Sequence, residues 1–150
     1  MTFLFIIIGV LIALFLLMYS KNTKPPIDLG VKNGKLAPLS NRPNCVSTQT
    51  TMGDKKLIPL PFKENLVKSR EEILNIIKSF PNTNIIEMKD DYIYVVFTSL
   101  RMKYNDDVEF YFDINDKVIH FRSAARVGYS DMGTNRKRYN KIKNMYFKNL

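Results

Sequence analysis

The sequence predicts an α+β protein: an antiparallel sheet of four to five strands with two helices packed on one face, preceded by an N-terminal transmembrane helix. Three observations predict it. Residues 3–19 form an unbroken apolar run. Between residues 85 and 123, short segments alternate apolar and polar side chains and are separated by Asp- and Asn-containing turns, the period-two signature of half-buried strands. Stretches before and after that region repeat apolar residues at three- and four-residue spacing, the signature of amphipathic helices. Hairpin connections make the sheet antiparallel, and the helices cover its apolar face.

The first element is residues 1–20. Phe3 to Tyr19 reads FLFIIIGVLIALFLLMY, with one Gly and no charge. At 1.5 Å per residue it spans roughly 26 Å, near the lower limit for crossing a hydrocarbon core. A cleaved signal peptide wants a basic start and small residues before the cut, yet no Lys or Arg precedes this run and Met18-Tyr19-Ser20 is a poor cleavage site. The single Cys, Cys45, lies too far downstream for a lipoprotein signal. A core helix carries polar residues on one face, and this run has none. The reading is an uncleaved single-pass membrane anchor. Lys21 and Lys24 follow it, which by the positive-inside rule places the rest in the cytoplasm. An N-terminal position equally suits an export signal-anchor, and both sides stay open.

Residues 21–40 read as a linker, polar and broken by Pro25-Pro26, Gly30, Asn33-Gly34 and Pro38. A single domain is expected over 41–150. Lys56 to Phe62, KLIPLPF, is extended because its prolines forbid helix. Ser69 with Glu72 fits a capping box, followed by Ile73, Leu74, Ile76, Ile77 and Phe80, with Pro81 beyond the helix end. Strands follow at Ile85–Met88, Tyr92–Ser99, Val108–Asp113 and Val118–Ser123. If Asn115-Asp116 closes the last hairpin, counting outward pairs Phe112 with Ile119, Phe110 with Phe121 and Val108 with Ser123. The other face then pairs Tyr111 with His120 and Glu109 with Arg122, so apolar and polar pairs separate cleanly. Thr134 is placed to cap a last helix carrying Tyr139, Ile142, Met145 or Tyr146, and Leu150.

The chain has 150 residues and a net charge of +9. That charge is unevenly distributed. Residues 21–70 carry ten basic and three acidic side chains (+7), 71–131 seven and eleven (−4), and 132–150 six and none (+6). Nucleic-acid modules spread basic groups over a folded face. A basic segment beside an apolar anchor instead meets anionic lipid headgroups. Nucleic acid is therefore the disfavoured partner. One Cys and one His exclude a Cys-based zinc cluster and a two-histidine metal site, and no Walker loop, nucleophile elbow or dinucleotide fingerprint is present. No metal or cofactor is expected. Asp90-Asp91 and Asp106-Asp107 are paired carboxylates that turn chemistry explains.

Two stretches carry a family resemblance. One is Arg42-Pro43-Asn44-Cys45-Val46-Ser47, with Pro59-Leu60-Pro61-Phe62 after it. The other begins Asp106-Asp107-Val108-Glu109-Phe110-Tyr111 and continues through Ile119–Asp131 to Gly133-Thr134-Asn135-Arg136-Lys137-Arg138. Over roughly residues 41–143 the chain resembles the family described as domain of unknown function 1499, found in bacteria and plastid-bearing eukaryotes. The resemblance implies no activity. Where the family usually reads Arg-Ser-Ala-Ser-Arg, this chain has Ala125 before Arg126, which weakens a serine nucleophile there.

Candidate functional residues fall into three groups. Cys45 is a nucleophile only if a base makes its thiolate, and His120 is the sole imidazole; a buried structural thiol and a hydrogen-bonded structural His are the blander readings. Glu109 is a weaker acid/base candidate. Tyr94, Glu109, Tyr111 and His120 share one sheet face, which stands open to a ligand or partner if the helices cover the other. Arg122, Arg126, Asp131, Asn135, Arg136 and Arg138 bracket or open the last helix, where free N–H groups and guanidinium groups suit phosphate or carboxylate. Asp131 either occupies those arginines or caps the helix. Three function classes follow: a membrane-anchored accessory or binding module for a membrane protein partner or anionic ligand, ranked first; a binder of anionic lipid or nucleic acid through the basic segments; and a small enzyme using Cys45 and His120.

Overall fold

The computed structural model of the protein describes residues 2–148. Helix α1 covers Thr2–Thr23 and meets the length and apolarity needed to cross a membrane. Its apolar side chains from Phe3 to Tyr19 are exposed, unlike those of a soluble core helix. Then come β1 (Cys45–Ser47), a 3-10 turn (Gly53–Lys55), β2 (Leu60–Pro61), α2 (Leu66–Lys78), β3 (Thr83–Met88), β4 (Tyr92–Thr98), β5 (Asn105–Asp113), β6 (Val118–Ala125) and α3 (Thr134–Lys148). All strand pairings are antiparallel, in the order β1-β6-β5-β4-β3, with β2 also paired to β6. The sheet has six strands rather than four to five because β1 and β2, of three and two residues, share the outer edge of β6. Segments that short carry too little alternation to be read as strands.

The β5–β6 register is the one counted from Asn115-Asp116: Phe112↔Ile119, Phe110↔Phe121, Val108↔Ser123, Tyr111↔His120 and Glu109↔Arg122. Asp113 Oδ1 accepts the N–H groups of Asn115 and Asp116, and Lys117 takes a left-handed φ of 52° to close the turn. Ile93, Val95 and Phe97 of β4 join Val108, Phe110, Phe112, Ile119 and Phe121 in the main core. Ile73, Ile76 and Ile77 of α2 and Tyr139, Ile142 and Tyr146 of α3 belong to the same core cluster. The spacing of those helical residues matches the apolar stripes read from the sequence. Leu150 lies outside the described residues.

The start of α2 differs from expectation, and at α3 the structure selects Asp131 over Thr134, the two caps the sequence offers. Asn65, not Ser69, caps α2: its side chain accepts the Lys68 N–H at 2.9 Å. Ser69 is fully buried one turn further on, where its hydroxyl accepts from Lys63 N and donates to Asn65 O. At α3 the accepting carboxylate is Asp131, which takes the N–H groups of Gly133 and Asn135 while Thr134 donates its hydroxyl to Asp131 O. An Asp ahead of a Gly competes well with Thr for this role.

The second sheet face is covered, which corrects the expectation that it stands open. Leu29, Val31 and Leu36 pack on Tyr92, Tyr94, Val96 and Tyr111. Gly30 N–H donates to Glu109 Oε1 at 2.8 Å, and Gln49 ties down both Leu36 N and Gly34 O. A strap within residues 28–37 therefore lies where the sequence predicts a linker. Its apolar residues are few and set among Gly, Lys and Asn, so they make no periodic signal.

Candidate functional site

Three arginine–carboxylate pairs organise the residues expected to form a site. On the strap-covered face, Arg122 Nη1 donates to Glu109 Oε2 at 2.9 Å. Glu109 is fully buried and also accepts from Tyr92 Oη at 2.8 Å. On the same face, Arg126 donates to both carboxylate oxygens of Asp107 at 2.7–3.0 Å, and Tyr94 Oη donates to Asp107 Oδ1. On the helix face, Arg138 donates to Asp106 Oδ2 at 2.6 Å and stacks over the Phe97 ring. Asp106 and Asp107 thus belong to a strand, not a turn. The sequence reading starts this strand too late, at Val108, because the charge of Asp106 and Asp107 masks the start of β5, although Asp107, Glu109 and Tyr111 already share one parity.

Burial accounts for most of the electrostatics. It pushes the Tyr92 and Tyr94 phenols well above their ordinary range, with Glu109 and Asp107 adding to the effect. Burial alone lowers the Arg126 guanidinium, but its hydrogen bonds and charge contact with Asp107 outweigh that and raise it. Asp106 is raised by burial, with Arg138 opposing. Tyr139, buried in the main core and donating to Ile58 O, is pushed up to about 12 by burial.

The last-helix residues split away from this face. Asn135 is fully buried and bonds Ser123, Arg138 and Asn44 O, while Asn44 Nδ2 donates to Gly128 O. Arg136 reaches the carbonyls of Asp54 and Lys56. These contacts tie α3 to β1 and β6. The short motifs around Asn44, Ser123 and Asn135 to Arg138 are therefore one polar network beneath the helix.

Cys45 and His120 are not brought together. Cys45 pairs with Ala124, four residues along β6 from His120, or roughly 13 Å of strand. The thiol is buried against Arg42 O and Ser40, whereas His120 Nδ1 meets Thr48 Oγ1 at 3.1 Å and its ring stacks on Tyr111. Burial lowers the His120 pKa, with Asp113 and Asp116 opposing. Among the described residues no three His, Cys, Asp or Glu side chains group as a metal ion needs.

The structure does bring Arg122 and Arg126 to one cavity of about 370 Å³, lined by Lys21, Pro26, Ser40, Arg42, Asn44, Asp107, Arg122, Ala124, Ala125 and Arg126. Glu109 and Asp107 balance two of its four cations; exposed Lys21 and Arg42 are in excess. Arg122 Nε is buried with no hydrogen-bond acceptor among the described residues. Ala124 and Ala125 keep the floor small. Lys21, Ser40, Arg42, Asn44 and Asp107 escape the sequence reading because they come from the end of α1, the segment before β1 and a strand interior, which only the fold unites.

The cavity adjoins the end of α1, which is fastened to the domain. Asn22 is buried: its Nδ2 donates to Lys103 O, its Oδ1 accepts Asn105 N–H, and its backbone oxygen accepts from Asn105 Nδ2. Arg126 Nη1 donates to the carbonyls of Asn22 and Thr23, satisfying acceptors that a helix C-terminus leaves free.

Fold and site together define an α+β domain with an apolar N-terminal helix and buried Arg–carboxylate pairs. The family model described as "Protein of unknown function (DUF1499)" matches residues 35–145, and the chain belongs to that family. No curated protein and no solved structure matches it.

Proposed function

We propose that the protein is a membrane-anchored binding module. Helix α1 spans the bilayer, and the cavity at its foot takes an anionic group, phosphate or carboxylate, at the membrane surface. The observation that carries this reading is the cavity's donor set: two cations in excess, and a buried guanidinium whose Nε–H has no acceptor. A buried N–H without a partner costs about 1–3 kcal/mol, and the residue that carries it lines the cavity. Small residues at 124 and 125 leave room for the anionic group.

The test uses the full chain in nanodiscs of zwitterionic lipid, titrated with inorganic phosphate and followed through the Arg122 Nε–H resonance. Saturable movement of that signal, weakened about tenfold by Arg42→Ala, is expected, a loss corresponding to 1.4 kcal/mol. A signal indifferent to phosphate, and to phosphatidylglycerol added to the discs, overturns the proposal.

A further inference from the structure

The loop joining β4 to β5, Ser99 to Tyr104, reads Ser-Leu-Arg-Met-Lys-Tyr. Its Leu100 and Met102 are 68% and 64% exposed, and Arg101 and Lys103 alternate with them. An exposed apolar pair at a loop tip has no role in either core. The location of the loop supplies one. Met102, Lys103 and Tyr104 share a cavity of about 450 Å³ with Phe15, Met18, Tyr19 and Asn22 of α1, so the loop stands beside the last two turns of the helix. Lys103 O also accepts the Asn22 amide, which fixes the loop at the helix foot. Phe15 lies four residues before Tyr19, or about 6 Å deeper along the helix axis. A loop that borders both residues reaches the level of the headgroup–acyl boundary when the apolar run fills the membrane.

Charge points the same way. The sheet end that holds the loop is also the end of α1, and it carries Lys21, Lys24, Arg101 and Lys103. The opposite sheet end holds the turns with Asp90, Asp91, Asp113 and Asp116, four carboxylates against Lys89 and Lys117. The seven-residue β4 separates the two ends by roughly 20 Å. An anionic bilayer attracts the first end and repels the second.

We infer that the β4–β5 loop is a second membrane contact, seating Leu100 and Met102 in the headgroup–acyl boundary of the bilayer that α1 crosses, with Arg101 and Lys103 on anionic headgroups. The inference rests on the reading of α1 as a membrane span. Loop insertion at this depth follows the chemistry of interfacial amphipathic segments, which bury apolar side chains about 5–10 Å below the headgroups and leave basic ones among them.

The experiment places an environment-sensitive fluorophore, one site at a time, on Leu11→Cys in α1, Met102→Cys in the loop and Ile114→Cys in the distal turn. The wild type, whose Cys45 is buried, serves as the blank. Each full-length variant is reconstituted in phosphatidylglycerol-containing discs with lipids carrying a spin-label quencher near the headgroup or deep in the chain. Expected is deep quenching at Leu11, shallow quenching at Met102 several-fold above that at Ile114, and a reduced Met102 signal when Arg101→Glu and Lys103→Glu are combined. Leu11 quenched with Met102 no more quenched than Ile114 overturns the inference while leaving the anchor. Leu11 unquenched by either lipid overturns both. A Met102 fluorophore that is shielded yet unquenched by lipid assigns the loop to a protein contact and also overturns the inference.

Discussion

At the scale of single residues, the arginines that the sequence offers as ligand contacts are first of all structural. Arg126 illustrates the physics. Its guanidinium and the Asp107 carboxylate are 6% and 2% exposed, and Tyr94 completes the pair. Removing one member strands the other in a low-dielectric site. Arg126→Ala is therefore expected to lower stability by about 3–5 kcal/mol in denaturant unfolding, while replacing both Arg126 and Asp107 by apolar residues recovers much of that loss. His120 gives a pH signature with a definite sign. Burial lowers its pKa in the fold, so the unfolded chain takes up the proton first. Stability contributed by neutral His120 is present above the unfolded value near 6.5 and is lost as pH falls from there toward the folded value. His120→Asn is expected to flatten that part of the stability–pH curve; an unchanged slope contradicts the assignment. The pairing of Glu109 with Arg122 was legible in the sequence, because strand parity and one turn fixed it. The separation of Cys45 from His120 was not, because nothing local relates β1 to a position along β6.

At the scale of elements, local chemistry told the type of each long element and missed some ends. The cap of α2 shows why. Ser69 and Glu72 satisfy the capping-box spacing, but Asn65 four residues earlier is an equally good cap and gains an extra turn of helix. Asn65→Ala is expected to cost about 1 kcal/mol. The strap over the second sheet face is the larger omission. Its conformation depends on partners distant in sequence: Glu109 for Gly30, Gln49 for Leu36, and a wall of tyrosines. Gly30 supplies this contact at a φ of 103°, a conformation that favours glycine. If the strap is part of the fold, Leu36→Ala, at 6% exposure, lowers stability by about 2–3 kcal/mol, the low end for a buried Leu because the cluster is small. Ile27→Ala, just outside the strap and fully exposed, leaves it unchanged. Equal effects of the two substitutions in thermal unfolding contradict that role.

At the scale of the whole molecule, the net charge of +9 resolves into a spatial pattern. Basic groups gather where α1 meets the sheet, and carboxylates cluster in the turns at the far end. Sequence position alone showed the blocks but not their geometry, since Arg101 and Lys103 belong to the acidic middle of the chain and only the strand directions carry them to the helix foot. The same end contains a latch whose consequence is mechanical. On the proposed reading of α1 as a membrane anchor, the polar segment after it would ordinarily be a flexible tether, free to tilt the domain against the bilayer. Here the Asn22 side chain bonds two backbone groups of the β4–β5 region, Lys103 O and Asn105 N–H, and does so where it is buried from water. Losing two such bonds costs about 1–3 kcal/mol, enough to shift an equilibrium between docked and detached arrangements by about fivefold to a hundredfold. Asn22→Ala leaves both hydrophobic clusters untouched, so the unfolding midpoint of the domain should hold. The relation between helix and domain should not. Spin labels at Leu11 and Ile114 in nanodiscs are expected to give one narrow distance distribution in the otherwise wild-type chain and a broad one with Asn22→Ala. A distribution equally narrow in both shows that Arg126, through the Asn22 and Thr23 carbonyls, suffices to hold the domain at a fixed attitude.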